Sequence, residues 1–225
     1  DKYQTSGTWY AHASVGCLHV RPVLNMKDSR DIIKMRAIAT EAFKLVKKFN
    51  GSHSGEHGDG ISRSEFNPAM FGKKLTNAFR EIKSLMDPNG ILNPGKIVDA
   101  PKMDDRHLFR FSPGYSVSGF HPELDWSSWP GSASGFQGAV EMCNNNGACR
   151  KLEGGVMCPS FRITGEEKDS TRGRANSLRL AMSGQLGPNA MASTEMLETM
   201  KLCVSCKACK RECPTSVDMS AMKLE

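Results

Sequence analysis

The stretch CVSCKACKRECP, residues 203–214, decides how the chain is read. Cys203, Cys206, Cys209 and Cys213, followed by Pro214, give the spacing C-x2-C-x2-C-x3-C-P. In the bacterial ferredoxin run of this form, a tight turn brings three thiolates to one iron–sulfur cubane, and the fourth cysteine, turned away at the proline, serves a second cluster. A structural zinc site is the competing reading, although its cysteine pairs are normally separated by a longer loop.

An upstream stretch, CNNNGACRKLEGGVMCP at residues 143–159, is an unequal copy in which Asn146 stands where the later run has Cys206. Applying the swap, Cys203, Cys206 and Cys209 take Cys158 as the fourth ligand of a [4Fe–4S] cluster. Cys143, Cys149 and Cys213 hold the other, with Asn146 at its fourth corner. A neutral amide is a poor iron ligand beside thiolates. Three outcomes stay open at that corner: a [3Fe–4S] cluster, a cubane whose open iron is capped by water or another side chain, or no second cluster.

Composition supports metal over disulfides. Of eight cysteines only Cys17 stands apart, the other seven lie between Cys143 and Cys213, and no secretory layout opens the chain. The formal charge of +6 comes from scattered Lys and Arg with short clusters such as KLVKK and CKACKREC, which argues against a nucleic-acid stripe. No apolar run approaches the roughly 18 to 20 residues of a membrane span. The expectation is a soluble, cytoplasmic protein without a transmembrane segment, with peripheral contact to the inner membrane compatible with it. The 225 residues, 39% hydrophobic, can bury one sizeable core, or one modest core plus a small metal-supported module. Because the chain opens on Asp1 and DKYQTSGTWYAHASVG reads as a domain interior, we expect a piece of a longer polypeptide.

Periodicity organises the rest. Residues 8–24 read as two short strands bent around Gly16. A helix follows, capped by Asp28, with Ile32, Ile33, Met35, Ile38, Ala42, Phe43, Val46 and Phe49 at helical spacing and Asn50-Gly51 as its stop. GSHSGEHGDGISR reads as a tight loop with strand edges. Pro68 begins a second helix that ends at Asp87-Pro88-Asn89-Gly90, so the first domain alternates strand and helix. The fold class is α+β, with a domain at 1–98, a linker at 99–139 rich in Pro, Gly, Ser and aromatics, and an α-helical iron–sulfur module at 140–225. In that module TRGRANSLRLAMSG and STEMLETMKLC read as helices.

His12 and His19 can reach one metal only if the chain turns between them, since on an uninterrupted strand they face opposite sides. Glu56-His57 in the glycine-rich loop gives that pair more weight. HASVGCLH, SGEHGDGISR and LMDPNGILNPGKI together resemble the C-terminal substrate domain of FAD-linked D-2-hydroxyacid oxidoreductases, the group that includes D-lactate and D-2-hydroxyglutarate dehydrogenases and glycolate oxidase subunits. The cysteine module resembles a subgroup in which flavin domain and ferredoxin-type dicluster share one chain.

That resemblance implies His12, His19 and Glu56 as ligands of a divalent ion, zinc or similar, with positions open for substrate. It implies His57 as the group that takes the hydroxyl proton, and Asn93 as a residue near the flavin ring. Where the family commonly has His-x-Asn, this chain has His19-Val20-Arg21, so the asparagine's substrate contact is not carried over and Arg21 is the candidate for the carboxylate. FAD would be held mostly upstream, because no glycine-rich nucleotide-binding segment follows a strand here. A D-2-hydroxyacid would be oxidised to the 2-oxoacid, and electrons would pass from FAD through the clusters to a quinone or carrier protein. Lys207, Lys210 and Arg211 would offset the clusters' negative charge and could dock an acidic carrier, or simply form a solvated face. The alternatives are an electron-transfer module with structural histidines and a zinc-stabilised nucleic-acid module.

Overall fold

The computed structural model describes residues 2–117, 119–129 and 135–225, and the chain divides into two compact units, the first ending at Tyr115 and the second beginning at Ser116. In the first unit, β1 (Gly7–His12) and β2 (Cys17–Pro22) pair antiparallel with Tyr10 opposite His19 and His12 opposite Cys17. A 3₁₀ turn at Ala13–Val15 joins them, and Gly16 closes it at φ 66, a left-handed conformation suited to glycine. Helix α1 (Ser29–Lys48) begins where the Asp28 carboxylate accepts the Arg30 N–H at 2.8 Å. Ile32 and Phe43 form its buried stripe.

The glycine-rich loop forms no strand edge. Its end becomes a short helix, α2 (Gly60–Ser64), which runs almost directly into α3 (Asn67–Met86). Gly72 breaks the regularity of α3 at φ 81, ψ 164. Both strands therefore precede the helices instead of alternating with them. Asn67 and Ser64 are buried at the α2–α3 junction. Asn67 Nδ2 donates to Ile97 O and Ser64 Oγ accepts from Ile97 N at 2.9 Å, so the NPGKI segment is tied to that junction.

The stretch expected as a linker is shared between the units. Arg36 bonds Asp104 at 2.6 Å as well as Glu65, and the Lys27 ammonium lies over Phe111, which fastens residues up to Tyr115 to the first unit. In the second unit Glu225 accepts from Trp126 Nε1 at 2.8 Å, and Trp126 meets Phe136 edge to face. Ser118 and residues 130–134 of the expected linker lie outside the described residues.

The second unit is helical: α4 (Gly135–Glu141), α5 (Pro159–Thr164), α6 (Thr171–Met182), α7 (Thr194–Lys201), α8 (Ala208–Glu212) and α9 (Met219–Leu224). The two helices read from sequence are α6 and α7, each started by a serine cap, Ser170 and Ser193. Leu178 and Met182 of α6 pack in one core with Phe136, Val140, Phe161, Met196 and Val217, and that core includes Cys143, Cys149, Cys158, Cys209 and Cys213. Among the described residues no helix is long and apolar enough to cross a membrane.

Candidate metal and cluster sites

The hairpin register explains the first site. Opposed residues of an antiparallel pair share a face, as do residues two apart, so Tyr10, His12, Cys17, His19 and Arg21 all project to one side. The loop then delivers Glu56 onto that side. His12 Nε2 lies 3.3 Å from Glu56 Oε2, His19 Nε2 3.0 Å from Oε1, and His57 Nε2 2.7 Å from Oε1. Among the described residues, His12, His19 and Glu56 are the group whose ligand atoms all lie within 4.8 Å of one another. Two imidazoles and a carboxylate suit zinc and related ions and leave coordination positions open.

Exposure differs within this group. The His19 side chain is 11% exposed and wedged in place, whereas His57 is 65% exposed and accessible to a small molecule. Tyr10 stacks on His19 with ring centroids 4.2 Å apart and planes 9° from parallel. Arg21 in turn lies over Tyr10 and donates to its hydroxyl at 2.5 Å. Sequence reasoning missed Tyr10, and it treated Cys17 as isolated although its Sγ sits 3.9 Å from His19 Nε2. It also missed His53, whose buried ring packs against Phe43 and Phe66 with Asp59 Oδ1 3.6 Å away, at the base of the loop that carries Glu56 and His57. Asn93 stands apart from the histidines in the contacts described: its Oδ1 accepts from Lys96 at 3.1 Å.

The second site is a cavity lined by Cys158, Cys203, Cys206 and Cys209, together with Thr171 and Arg174. Left-handed residues shape its walls: Cys158 itself (φ 53), Ser205 (φ 51) and Lys207 (φ 62). These bends fold the run tightly enough for its first three cysteines to face one space. The Cys158 Sγ accepts the Thr171 N–H at 3.0 Å and lies 2.9 Å from the Thr171 hydroxyl. Burial pushes the Cys158 thiol pKa up, while the Thr171 bonds and the Arg174 charge pull the other way. Burial likewise raises Cys209, opposed by the N–H groups of Met219 and Ser220. These buried thiols carry N–H donors already aimed at sulfur, an arrangement that favours thiolates bound to iron.

Cys143, Cys149 and Cys213 lie buried in the same core. The Cys149 Sγ accepts from Arg172 N at 3.4 Å, and Cys213 Sγ lies 3.4 Å from the Thr215 hydroxyl. Asn146 is exposed, and its carboxamide is engaged locally: Oδ1 accepts from Ala148 N at 2.8 Å and Nδ2 donates to Asn144 Oδ1. Its neighbour Asn145 has its Oδ1 3.8 Å from Cys143 Sγ. All eight cysteines are free of disulfides. Of the bases singled out in the sequence, Lys207 lines the cavity of Cys158, Cys203, Cys206 and Cys209, Lys210 pairs with Asp218 at 3.3 Å, and Arg211 stands 3.8 Å from Glu212.

Residues 1–97 match the FAD linked oxidases, C-terminal domain, and residues 139–217 match the 4Fe-4S dicluster domain. The D-2-hydroxyglutarate dehydrogenase of Escherichia coli (strain K12) is 31% identical over 97% of this chain and 24% of its own length. The protein of the same name from Pantoea ananatis (strain AJ13355) is 32% identical over 99% of the chain and 24% of its length. The glycolate oxidase subunit GlcD of Bacillus subtilis (strain 168) is 28% identical over 43% of the chain and 20% of its length. The chain thus spans about a quarter of the curated relatives that it matches throughout. No solved structure matches it. Hairpin, glycine-rich loop and NPGK segment fall inside the first match and all seven clustered cysteines inside the second, so the chain joins an FAD-linked oxidase C-terminal domain to a 4Fe-4S dicluster domain.

Proposed function

We propose that the chain supplies the substrate-side domain and the electron relay of a flavin-dependent D-2-hydroxyacid dehydrogenase, in which FAD is held mostly by residues outside it. The observation that carries this reading is the single carboxylate, Glu56, shared by His12, His19 and His57. The donor set fits a divalent ion of the zinc class, and the four-cysteine cavity with its N–H donors fits a cubane. The ion held by His12, His19 and Glu56 would supply acidification of a substrate hydroxyl, the flavin would supply hydride acceptance, and clusters held by the cysteines would supply one-electron transfer.

The chain's own residues do the remaining work. Exposed His57, beside the carboxylate, accepts the hydroxyl proton. Arg21, held by Tyr10 on the same face, offers its guanidinium to the substrate carboxylate. Asn93 is assigned to the flavin side. Cys158, Cys203, Cys206 and Cys209 hold one cluster; Cys143, Cys149 and Cys213 hold the other, with its open corner toward Asn146. The relatives that match throughout are named D-2-hydroxyglutarate dehydrogenases, which makes that acid the first substrate to assay. The acceptor is a quinone or an acidic carrier protein docking near Lys207, and a cytoplasmic site with peripheral membrane contact suits either.

His57→Ala in the intact protein tests the reading. Loss of a general base lowers substrate-dependent flavin reduction by about 10²- to 10⁴-fold, with metal and iron contents unchanged. Flavin reduction at the wild-type rate contradicts the assignment.

A further inference from the structure

The second unit buries a charge that the chemistry above does not use. Arg174 on α6 is 1% exposed. Its Nε donates to Thr199 O at 2.8 Å, Nη1 to Asp169 O at 2.7 Å, and Nη2 to Ser160 Oγ at 3.2 Å. The nearest carboxylate oxygen, Asp169 Oδ1, is farther, at 3.4 Å. Close contacts of the guanidinium are thus neutral acceptors, and the same side chain lines the cavity of Cys158, Cys203, Cys206 and Cys209. Asp169 is fully buried but does not line that cavity.

Arg172, near the other cysteine set, differs. Its Nε and Nη2 meet the two carboxylate oxygens of Glu167 at 2.7 and 2.9 Å, and Glu167 is nearly half exposed. That pair reaches water, which screens it, whereas Arg174 and its more distant partner Asp169 both lie in an interior that screens little. Gaining one electron makes a cubane one unit more negative, with no bond or proton change, so a buried cation on the cavity wall favours the reduced state.

We propose that Arg174 is a positioning charge that raises the reduction potential of the cluster held by Cys158, Cys203, Cys206 and Cys209, keeping it an acceptor for electrons from the flavin. This rests on the proposed assignment of a cubane to those four cysteines. Asp169 anchors the guanidinium and opposes part of its field.

The test is a redox titration of the intact protein with dithionite and mediators, followed by electron paramagnetic resonance, with iron and sulfide assayed on each variant. Arg174→Met lowers the midpoint of this cluster, weakening its reduction equilibrium at least tenfold, or about 59 mV for one electron. Asp169→Asn, nearly the same shape, shifts the midpoint upward, and Arg174→Lys keeps it near wild type. Shifts of opposite sign from Arg174→Met and Asp169→Asn are not produced by loosened packing. If Arg174→Met fails to retain iron, Asp169→Asn decides: an unchanged or lowered midpoint overturns the proposal. A wild-type protein with no cubane signal overturns the cluster assignment and the proposal with it, while a normal cubane whose midpoint ignores both substitutions overturns the role of Arg174 alone.

Discussion

Replacing Gly173 with alanine sets a Cβ 1.9 Å from the Glu167 carbonyl oxygen, 2.7 Å from its carbon and 3.1 Å from Lys168 Cα. Those atoms are backbone, so relief requires the N-terminus of α6 to move off the Glu167–Asp169 turn by more than an ångström. Three interactions sit on that seam: the Ser170 hydroxyl donating to Glu167 O, Arg174 donating to Asp169 O, and the Thr171 N–H aimed at Cys158 Sγ. Overpacking costs about 1–3 kcal/mol and each of the three hydrogen bonds lost about 1 kcal/mol, which gives roughly 4–6 kcal/mol for Gly173→Ala. That is a large part of the roughly 5–15 kcal/mol that stabilises a domain. Anaerobic denaturant unfolding with iron analysis measures it: the variant should unfold at lower denaturant and retain less iron. A variant with wild-type midpoint and wild-type iron would refute the packing account of this seam.

Glu56→Gln removes the carboxylate faced by His12 and His19, and competition with a chromophoric chelator should show divalent-ion affinity falling by at least about 100-fold; unchanged affinity places the ion elsewhere. Acid should destabilise the first unit in a defined window. Lys83 beside Asp87 and Arg36 beside Asp104 hold those carboxyls below the ordinary range, and Arg30 holds Asp28 at about 2. Depressed folded-state pKa values mean that this stability is present above the unfolded-chain value of about 4 and is lost as pH falls through the folded values. Denaturation midpoints should therefore be flat from about pH 5 to 7 and decline below about pH 4, and Asp87→Asn should flatten the decline. Stability that rises on acidification contradicts the sign.

Local signals carried much of the fold. Gly16 between two strand-like runs announced the hairpin, Asp28 and Asn50 bracketed α1, and Ser170 and Ser193 start the two helices read in the second unit. What escaped were consequences of pairing and packing. Cys17 and Tyr10 join the His19 group only through the strand register, which periodicity does not encode. Helix α2 hid in a stretch where glycines mask helical propensity. Arg174 reads in sequence as one more charge on a helix, and only the fold shows that it and Asp169 are buried. The linker looked continuous because its aromatics carry no sign of which unit each packs against; Phe111 lies with the first and Trp126 with the second.

The arrangement proposed for the seven clustered cysteines is two unequal iron–sulfur clusters, one of them complete. Iron and acid-labile sulfide analysis of the anaerobically purified intact protein, combined with electron paramagnetic resonance of its oxidised form, decides it. The account predicts a brown protein with about seven to eight irons per chain, and about seven with a three-iron signal if the corner at Asn146 stays open. About four irons and no such signal would leave only the complete cluster, and a colourless protein containing zinc would contradict the account altogether.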